Sequence, residues 1–266
     1  MKLLALDLDG TLTNSHKEIT PRTLDALMDA QRKGVRLILA TGRPPYGVQP
    51  LARKLHLEDY HGMLLCFNGG TLIDCTTQEI LFDQPLPHHY LPYLCSCARE
   101  GDCVVMSYQG DRLLTESPQD PYVQHAVFIN KIQIRQVEDF AKDVNPPLNK
   151  ILIVGDPEKL PPIQQRIERE IPGELNVFTS MPFFLEVVPP GIDKAKTLER
   201  LLQLKGLSQE DLIAVGDGYN DLSMIQFAGI GVAMANGEAG VKAKADYVTT
   251  HTNDEDGIIE ILDKFL

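Results

Sequence analysis

Short, wholly apolar runs alternate with helix-patterned stretches at both ends of the chain, and this limits the fold more than any other feature. Lys2 to Leu8 is an apolar run ending in acid; Val35 to Ala40 and Met63 to Phe67 are two more. Between the first two, Thr20-Pro21 offers an N-cap followed by proline at the first helical position. Leu24, Leu27 and Met28 supply one buried stripe, and Gly34 closes the helix. A further helix is predicted after Thr41-Gly42-Arg43, and a turn at Asn68-Gly69-Gly70. From Asp193 the rhythm returns. Ala195, Leu198, Leu201 and Leu202 share a helical face; then come the run Leu212 to Val215 and Gly216-Asp217-Gly218. Another helix, the short apolar segment Gly229 to Ala233 and a terminal helix complete the chain. Continuously apolar strands are buried on both faces, so the pattern predicts an α/β fold with a parallel sheet covered by helices.

The middle of the chain breaks this rhythm. Pro87 to Arg99 predicts a helix, and Cys103 to Tyr108 with Arg112 to Thr115 predicts a hairpin across Gln109-Gly110-Asp111. Ile151 to Val154, a helix carrying Leu160, Ile163 and Ile167, and the runs Val177 to Thr179 and Phe184 to Val188 follow. This mixture reads as a separate α+β unit, with Val188-Pro189-Pro190-Gly191 as a hinge out of it. The expected organisation is a core domain from residues 1–82 and 188–266, doubly wound around a Rossmann-like parallel sheet. An α+β domain of residues 83–187 is inserted into it. No internal repeat or low-complexity segment is present.

Composition excludes several classes of partner. The 266 residues include 37 acidic and 25 basic ones, a formal net charge of −12, which works against a nucleic-acid partner. A small anion needs only a local positive focus and stays allowed. No run approaches the roughly 18–20 apolar residues of a membrane helix, and Asp7 and Asp9 interrupt the N-terminal run where a signal peptide would be apolar. A cytoplasmic protein with no membrane partner is expected; oligomeric state is not legible. Cys66, Cys75, Cys95, Cys97 and Cys103 are odd in number and suggest no disulfide framework. Cys95 and Cys97 form C-x-C without a second pair, which is a poor zinc pattern. Cys95 instead falls in register with Leu91, Leu94 and Ala98 as a small buried hydrophobe.

Four signals carry chemistry, each where a strand gives way to a loop, the edge at which open α/β sheets bind ligands. In Asp7-Leu8-Asp9-Gly10-Thr11-Leu12-Thr13, residues two apart on a strand point the same way, so Asp7 and Asp9 both reach the crevice. Two acids at a strand end also serve as caps or loop residues; the spacing of a calcium loop is absent. Thr41-Gly42-Arg43 pairs a hydroxyl and a backbone N–H with a helix start, which suits a phosphate and equally suits a plain tight turn. Lys194 opens a helix, where the dipole disfavours a cation, although a lone lysine is usually solvated; Lys196 is its nearby competitor. In Gly216-Asp217-Gly218-Tyr219-Asn220-Asp221, two acids four apart converge on one cation or merely border a turn. A dinucleotide site is not expected, because no G-x-G-x-x-G follows the first strand.

Taken in order and spacing, D-L-D-G-T-L-T, T-G-R, Lys194 and G-D-G-x-N-D resemble the motifs of the haloacid dehalogenase-like superfamily, and within it the Cof-type sugar-phosphate phosphatases. The tail, with Ala245-Asp246-Tyr247-Val248-Thr249 and Asp256-Gly257, also looks like that branch, so the resemblance covers essentially the whole chain. One departure is Ala195 after Lys194, where the branch often has glycine; alanine is the better helix former. The resemblance implies a phosphatase acting on a small phosphate monoester, a sugar phosphate by analogy. Asp7 would be the nucleophile that becomes an aspartyl-phosphate, and Asp9 the general acid and base. Leu8, Thr41, Gly42, Lys194 and Asn220 would hold the phosphate. Mg²⁺ would be held by Asp7, the Asp9 main-chain oxygen and Asp217, with Gly218 beside it and Asp221 behind.

The inserted domain would then be a cap that excludes water and chooses the substrate, with His88, His89, His125 and Tyr108 either reading the leaving group or simply packing. Two alternatives stand beside this reading. One is a phosphomutase of the same superfamily. The other is a non-catalytic phosphate- or metal-binding module, which would have little use for Asp9 beside Asp7.

Overall fold

The computed structural model describes residues 2–266, which divide into two units. One comprises the chain up to Arg43 with Val48–Phe82 and Asp193–Leu266; the other comprises Pro44–Gly47 and Asp83–Ile192. The chain begins with β1 (Leu3–Leu6), α1 (Pro21–Arg32), β2 (Arg36–Ala40), α2 (Pro45–Lys54), β3 (Met63–Cys66), β4 (Thr71–Asp74) and β5 (Ile80–Asp83). The insertion contributes α3 (Leu91–Glu100), β6 (Val104–Gln109), β7 (Arg112–Thr115), α4 (Pro121–Asn130), β8 (Gln133–Gln136) and α5 (Phe140–Asp143). It continues with β9 (Ile151–Val154), α6 (Leu160–Glu170), β10 (Asn176–Met181) and β11 (Phe184–Val188). The chain then returns through α7 (Lys194–Lys205), β12 (Leu212–Gly216), α8 (Leu222–Phe227), β13 (Ile230–Ala233), α9 (Ala239–Lys242), β14 (Tyr247–Val248) and α10 (Gly257–Phe265).

In the first unit the strand order is β14-β13-β12-β1-β2-β3-β4-β5. Strands β14 through β3 run parallel, which makes β1 the point from which the chain winds both ways. Leu6 lies opposite both Val215 and Leu39, so β1, β12 and β2 end level with one another. That is the switch point of a doubly wound sheet and the place where its ligands gather. The helices start where capping residues let them. Thr20 accepts from Thr23 N at 3.2 Å ahead of Pro21, and Asp193 accepts from Lys196 N at 3.2 Å to open α7. Leu198, Leu201 and Leu202 of α7 bury against Leu3, Ala5, Ile38, Leu212 and Ala214. Each such leucine stabilises the core by about 1.5–3 kcal/mol.

Three local expectations are corrected. The first strand does not run to Leu8: it ends at Leu6, and Asp7 N makes a last sheet bond to Val215 O at 3.0 Å. The chain then curls, with Thr11 N and Thr13 N both donating to Leu8 O. The sheet is also not parallel throughout, because β4 folds back antiparallel on β3. Finally, Val188 belongs to β11, opposite Asn176, rather than to the hinge.

The second unit is a sheet of order β10-β11-β9-β6-β7-β8, antiparallel except for the β7–β8 pair. Val105, Leu114, Ile151, Ile153, Leu185 and Val187 form its inner face, packed with Leu91, Leu94 and Ala98 of α3 and Leu160, Ile163 and Ile167 of α6. Cys95 and Cys97 are buried in the same cluster as free thiols, where burial pushes the Cys95 thiol up to about 12.

Candidate active site

Asp7 emerges from β1 and Asp217 from just past β12, on neighbouring strands that end level. Asp221 lies one 3-10 turn further, almost fully buried, its Oδ2 accepting from Asp217 N and Gly218 N at 3.0 Å each. Carboxylate oxygens of Asp7, Asp217 and Asp221 lie within 4.8 Å of one another. Into this cluster α7 delivers Lys194, 1% exposed, whose ammonium donates to Asp7 Oδ1 (2.7 Å), Asp221 Oδ1 (2.5 Å) and Ala40 O (2.8 Å). A lysine is tolerated at a helix start here because two buried carboxylates face it. Lys196 is exposed, so the lysine at the site is Lys194.

The electrostatics follow from burial. For Lys194, desolvation works against the charge, yet Asp221 and Asp7 outweigh it and hold the ammonium above its usual range. Burial, Asp221 and Asp217 together raise the Asp7 carboxyl well above normal against the pull of Lys194. Asp217 is raised to about 6, mainly by burial with Asp221 adding, while the Thr11 hydroxyl bonded to Oδ1 at 2.7 Å counters it. One ammonium, bonded to two carboxylates, thus balances a cluster of three. The donor set is all oxygen, with Asp7 Oδ2 and Asp217 Oδ2 left open by the hydrogen bonds described, and this fits a hard divalent cation better than a soft one. The loop geometry depends on glycine. Gly10 has φ +88°, and a Cβ there would stand 2.4 Å from Asp217 Oδ2.

Asp9 goes elsewhere than its neighbours. Its carboxylate accepts from Arg43 through Nε–Oδ2 (2.8 Å) and Nη2–Oδ1 (2.6 Å), and from Lys17 Nζ at Oδ1 (2.8 Å). Burial would raise Asp9, but these cations more than offset it and hold the carboxyl at about 2. Leu8 is fully buried, backbone included, and its carbonyl accepts from Thr13 Oγ1 at 2.8 Å. Thr41, at the end of β2, accepts from Arg43 N at its hydroxyl (3.1 Å) and from Asn68 N at its carbonyl (2.9 Å). Gly42 passes so close to Asn68 that a Cβ would lie 3.1 Å from its Nδ2. Asn220 donates to Asn68 Oδ1 at 3.3 Å. Gly218, besides its N–H bond to Asp221, accepts from Asp221 N at 2.9 Å.

Sequence reasoning quoted Thr11, Arg43 and Asn68 within its motifs and turn without giving them roles, and did not single out Lys17 or Asn236, whose amide donates to Gly10 O at 2.7 Å. The sequence signal for Asn68 was its place in the Asn68-Gly69-Gly70 turn after an apolar run; in the structure both it and Phe67 adopt positive φ (56° and 52°), a conformation that clusters at functional sites. In the insertion, His125 packs edge-on to Phe183, His89 lies against Tyr90, and the Tyr108 hydroxyl accepts from Asn130 at 3.3 Å. His88 reaches the Val144 carbonyl. His125 Nε2, by contrast, is buried without a hydrogen-bond partner among the described residues.

The model of the haloacid dehalogenase-like hydrolase family matches residues 4–262. The chain belongs to that family. It falls in the Cof-type branch expected from its motifs and is a phosphoric monoester hydrolase. A haloacid dehalogenase-like hydrolase from Bacteroides thetaiotaomicron has a crystal structure similar to this one. Its TM-score is 0.96 at 48% identity, covering 100% of this chain and 99% of that one. The sugar phosphatase BT4131, of subclass IIB of the same superfamily, superposes with a TM-score of 0.85 at 26% identity, over 100% and 99% of the two chains. The putative phosphatase YxeH of Bacillus subtilis is 30% identical over 260 residues, 97% of this chain and 95% of its own. These likenesses span the insertion as well as the core of this hydrolase, and phosphatases of its superfamily generally use a divalent metal. No helix among the described residues is long and apolar enough to cross a membrane.

Proposed function

We propose that this hydrolase is a Mg²⁺-dependent phosphatase of small phosphate monoesters, sugar phosphates among them, working through an aspartyl-phosphate on Asp7. The observation that carries the reading is Asp7 itself. It is buried at the end of β1, one oxygen fixed by Lys194 at 2.7 Å, and a carboxylate oxygen lies within 4.8 Å of those of Asp217 and Asp221. A carboxylate immobilised in this way is oriented for attack and has lost little mobility to do so. The sugar class follows from the likeness to BT4131, named as a sugar phosphatase.

Attack by a carboxylate on a phosphate dianion is electrostatically adverse. At about 4 Å and an effective dielectric near 20, each pair of like charges repels by roughly 4 kcal/mol. Lys194 offsets part of this at Asp7 and Asp221, and the Asp217 and Gly218 N–H groups steady Asp221. Asp7 and Asp217 would hold the cation, with the Asp9 main chain and Gly218 nearby and Asp221 behind them; when bound, it supplies charge neutralisation at the phosphoryl oxygens. Thr41, Gly42 and Asn220 are the proposed cradle for the phosphate. Asp9, ionised in the unliganded site, would take up a proton as the phosphate enters, give it to the departing oxygen and then take one from the water that releases phosphate from Asp7.

The test is phosphate release from a panel of sugar phosphates and an aryl phosphate, with Mg²⁺ or with EDTA. Release that needs the metal and disappears in Asp7→Asn is expected. Undiminished release by Asp7→Asn would remove the nucleophile from this scheme.

A further inference from the structure

Arg43 is a buried cation at this site that bonds through a planar fork. Its side chain is 8% exposed and grips Asp9 with two nitrogens on two oxygens, a fork that fixes the plane and rotation of a carboxyl group. The backbone of Arg43 is equally fixed, its N–H on Thr41 Oγ1 at 3.1 Å and its carbonyl accepting from Phe67 N at 3.2 Å. Lys17 also reaches Asp9 Oδ1, but it is 37% exposed and stands in the turn closed by Asn14 N to Glu18 O. β1 ends at Leu6, and beyond it the Asp9 backbone makes an isolated bridge with Thr13.

A carboxylate offers about four lone-pair positions, two on each oxygen. Arg43 Nη2 and Lys17 occupy both on Oδ1, and Arg43 Nε occupies one on Oδ2. One position remains, on Oδ2. We infer that Arg43 is the positioning residue for proton transfer by Asp9, holding the carboxyl so that the exchanged proton resides on Oδ2. This rests on the phosphatase reading above. In the first step the phosphorus–oxygen bond to the leaving group breaks as the bond to Asp7 forms, and the leaving oxygen takes the proton from Asp9 Oδ2. In the second, water returns a proton to that position as its oxygen attacks phosphorus and frees the Asp7 carboxylate. Lys17 fills the second position on Oδ1 and so shares in directing the proton to Oδ2, while the fork of Arg43 alone fixes the plane of the carboxyl.

The experiment compares kcat/KM for a sugar phosphate, whose alkoxide leaves only with a proton, and for p-nitrophenyl phosphate, whose leaving group needs none. Arg43→Ala and Arg43→Lys are each expected to lose roughly 10²-fold on the sugar phosphate and less than about threefold on the aryl ester, within the range general acid catalysis supplies. Lys17→Ala is expected to lose less than Arg43→Ala on the sugar phosphate, because the fork on Asp9 remains. Asp9→Asn combined with Arg43→Ala is expected to be no slower than Asp9→Asn alone, because residues acting through one group are not additive. Equal losses on both esters, or a double variant slower than Asp9→Asn, would overturn the inference while leaving the phosphatase reading intact. No turnover of either ester by the wild-type enzyme would overturn both.

Discussion

Lys194 commits all three of its ammonium protons within the protein, to Asp7, Asp221 and the Ala40 carbonyl. It therefore acts on a ligand through its charge and through the carboxylates it holds. Removing it leaves buried Asp7 and Asp221 without a counter-ion, a change that typically costs about 3–5 kcal/mol. Lys194→Ala is expected to show that loss in urea unfolding with EDTA present, and to abolish turnover. Lys196→Ala, at an exposed position, should stay within about 0.5 kcal/mol of wild type. The reverse ranking would mean that the wrong lysine carries the site. Gly10 is constrained from the other side. Its φ of +88° and the 2.4 Å approach to Asp217 mean that Gly10→Ala must displace the Asp217 carboxylate, so metal affinity should fall more than stability does. Calorimetric titration against urea unfolding separates the two effects.

At the scale of elements, the docking of α10 shows how one side chain ties a helix to a strand. Glu260 accepts from Thr250 N at 2.9 Å and Thr250 Oγ1 at 2.8 Å, and from the Tyr247 hydroxyl, with His251 Nδ1 at 3.3 Å. Burial would raise its carboxyl, but these donors lower it from 4.5 to about 2. The folded state therefore binds this proton less readily than the unfolded one. The stabilisation is complete above the ordinary glutamate range and is lost as pH falls toward 2. Glu260→Gln should cost about 1–2 kcal/mol at pH 7, allowing for solvent screening, and the gap in Tm should narrow below about pH 4 and close only as pH falls through about 2. A gap independent of pH would assign the effect to packing. The elements were also where the sequence was most legible. Thr20-Pro21, the apolar stripe of α7 and the apolar run of β12 are local signals, each set by neighbours within a turn or two. What escaped was set by distant partners. The curl after Leu6 depends on bonds to the Leu8 carbonyl, and the fork from Arg43 to Asp9 spans 34 residues that no periodicity links.

At the scale of the molecule, the site exists because the two ends of the chain share one sheet. Leu6 and Val215 are side by side in β1 and β12, and only that pairing brings Asp7 to Asp217 and lets α7 deliver Lys194. The four motifs were readable because each sits at a strand end, whereas their convergence required the strand order. A cation bridging the two ends binds the folded state alone and should stabilise it by mass action, about 2.7 kcal/mol at a hundredfold excess over Kd. Mg²⁺ is thus expected to raise Tm in the wild-type enzyme and to leave Asp217→Asn unmoved; an equal rise in both would place the metal elsewhere. The central claim is that Asp7 carries the phosphoryl group, and rapid acid quench during turnover followed by peptide mass spectrometry tests it most directly. One added phosphoryl mass on the peptide containing Asp7, absent from Asp7→Asn, is the predicted result. Full-rate phosphate release with Asp7 never modified would contradict it.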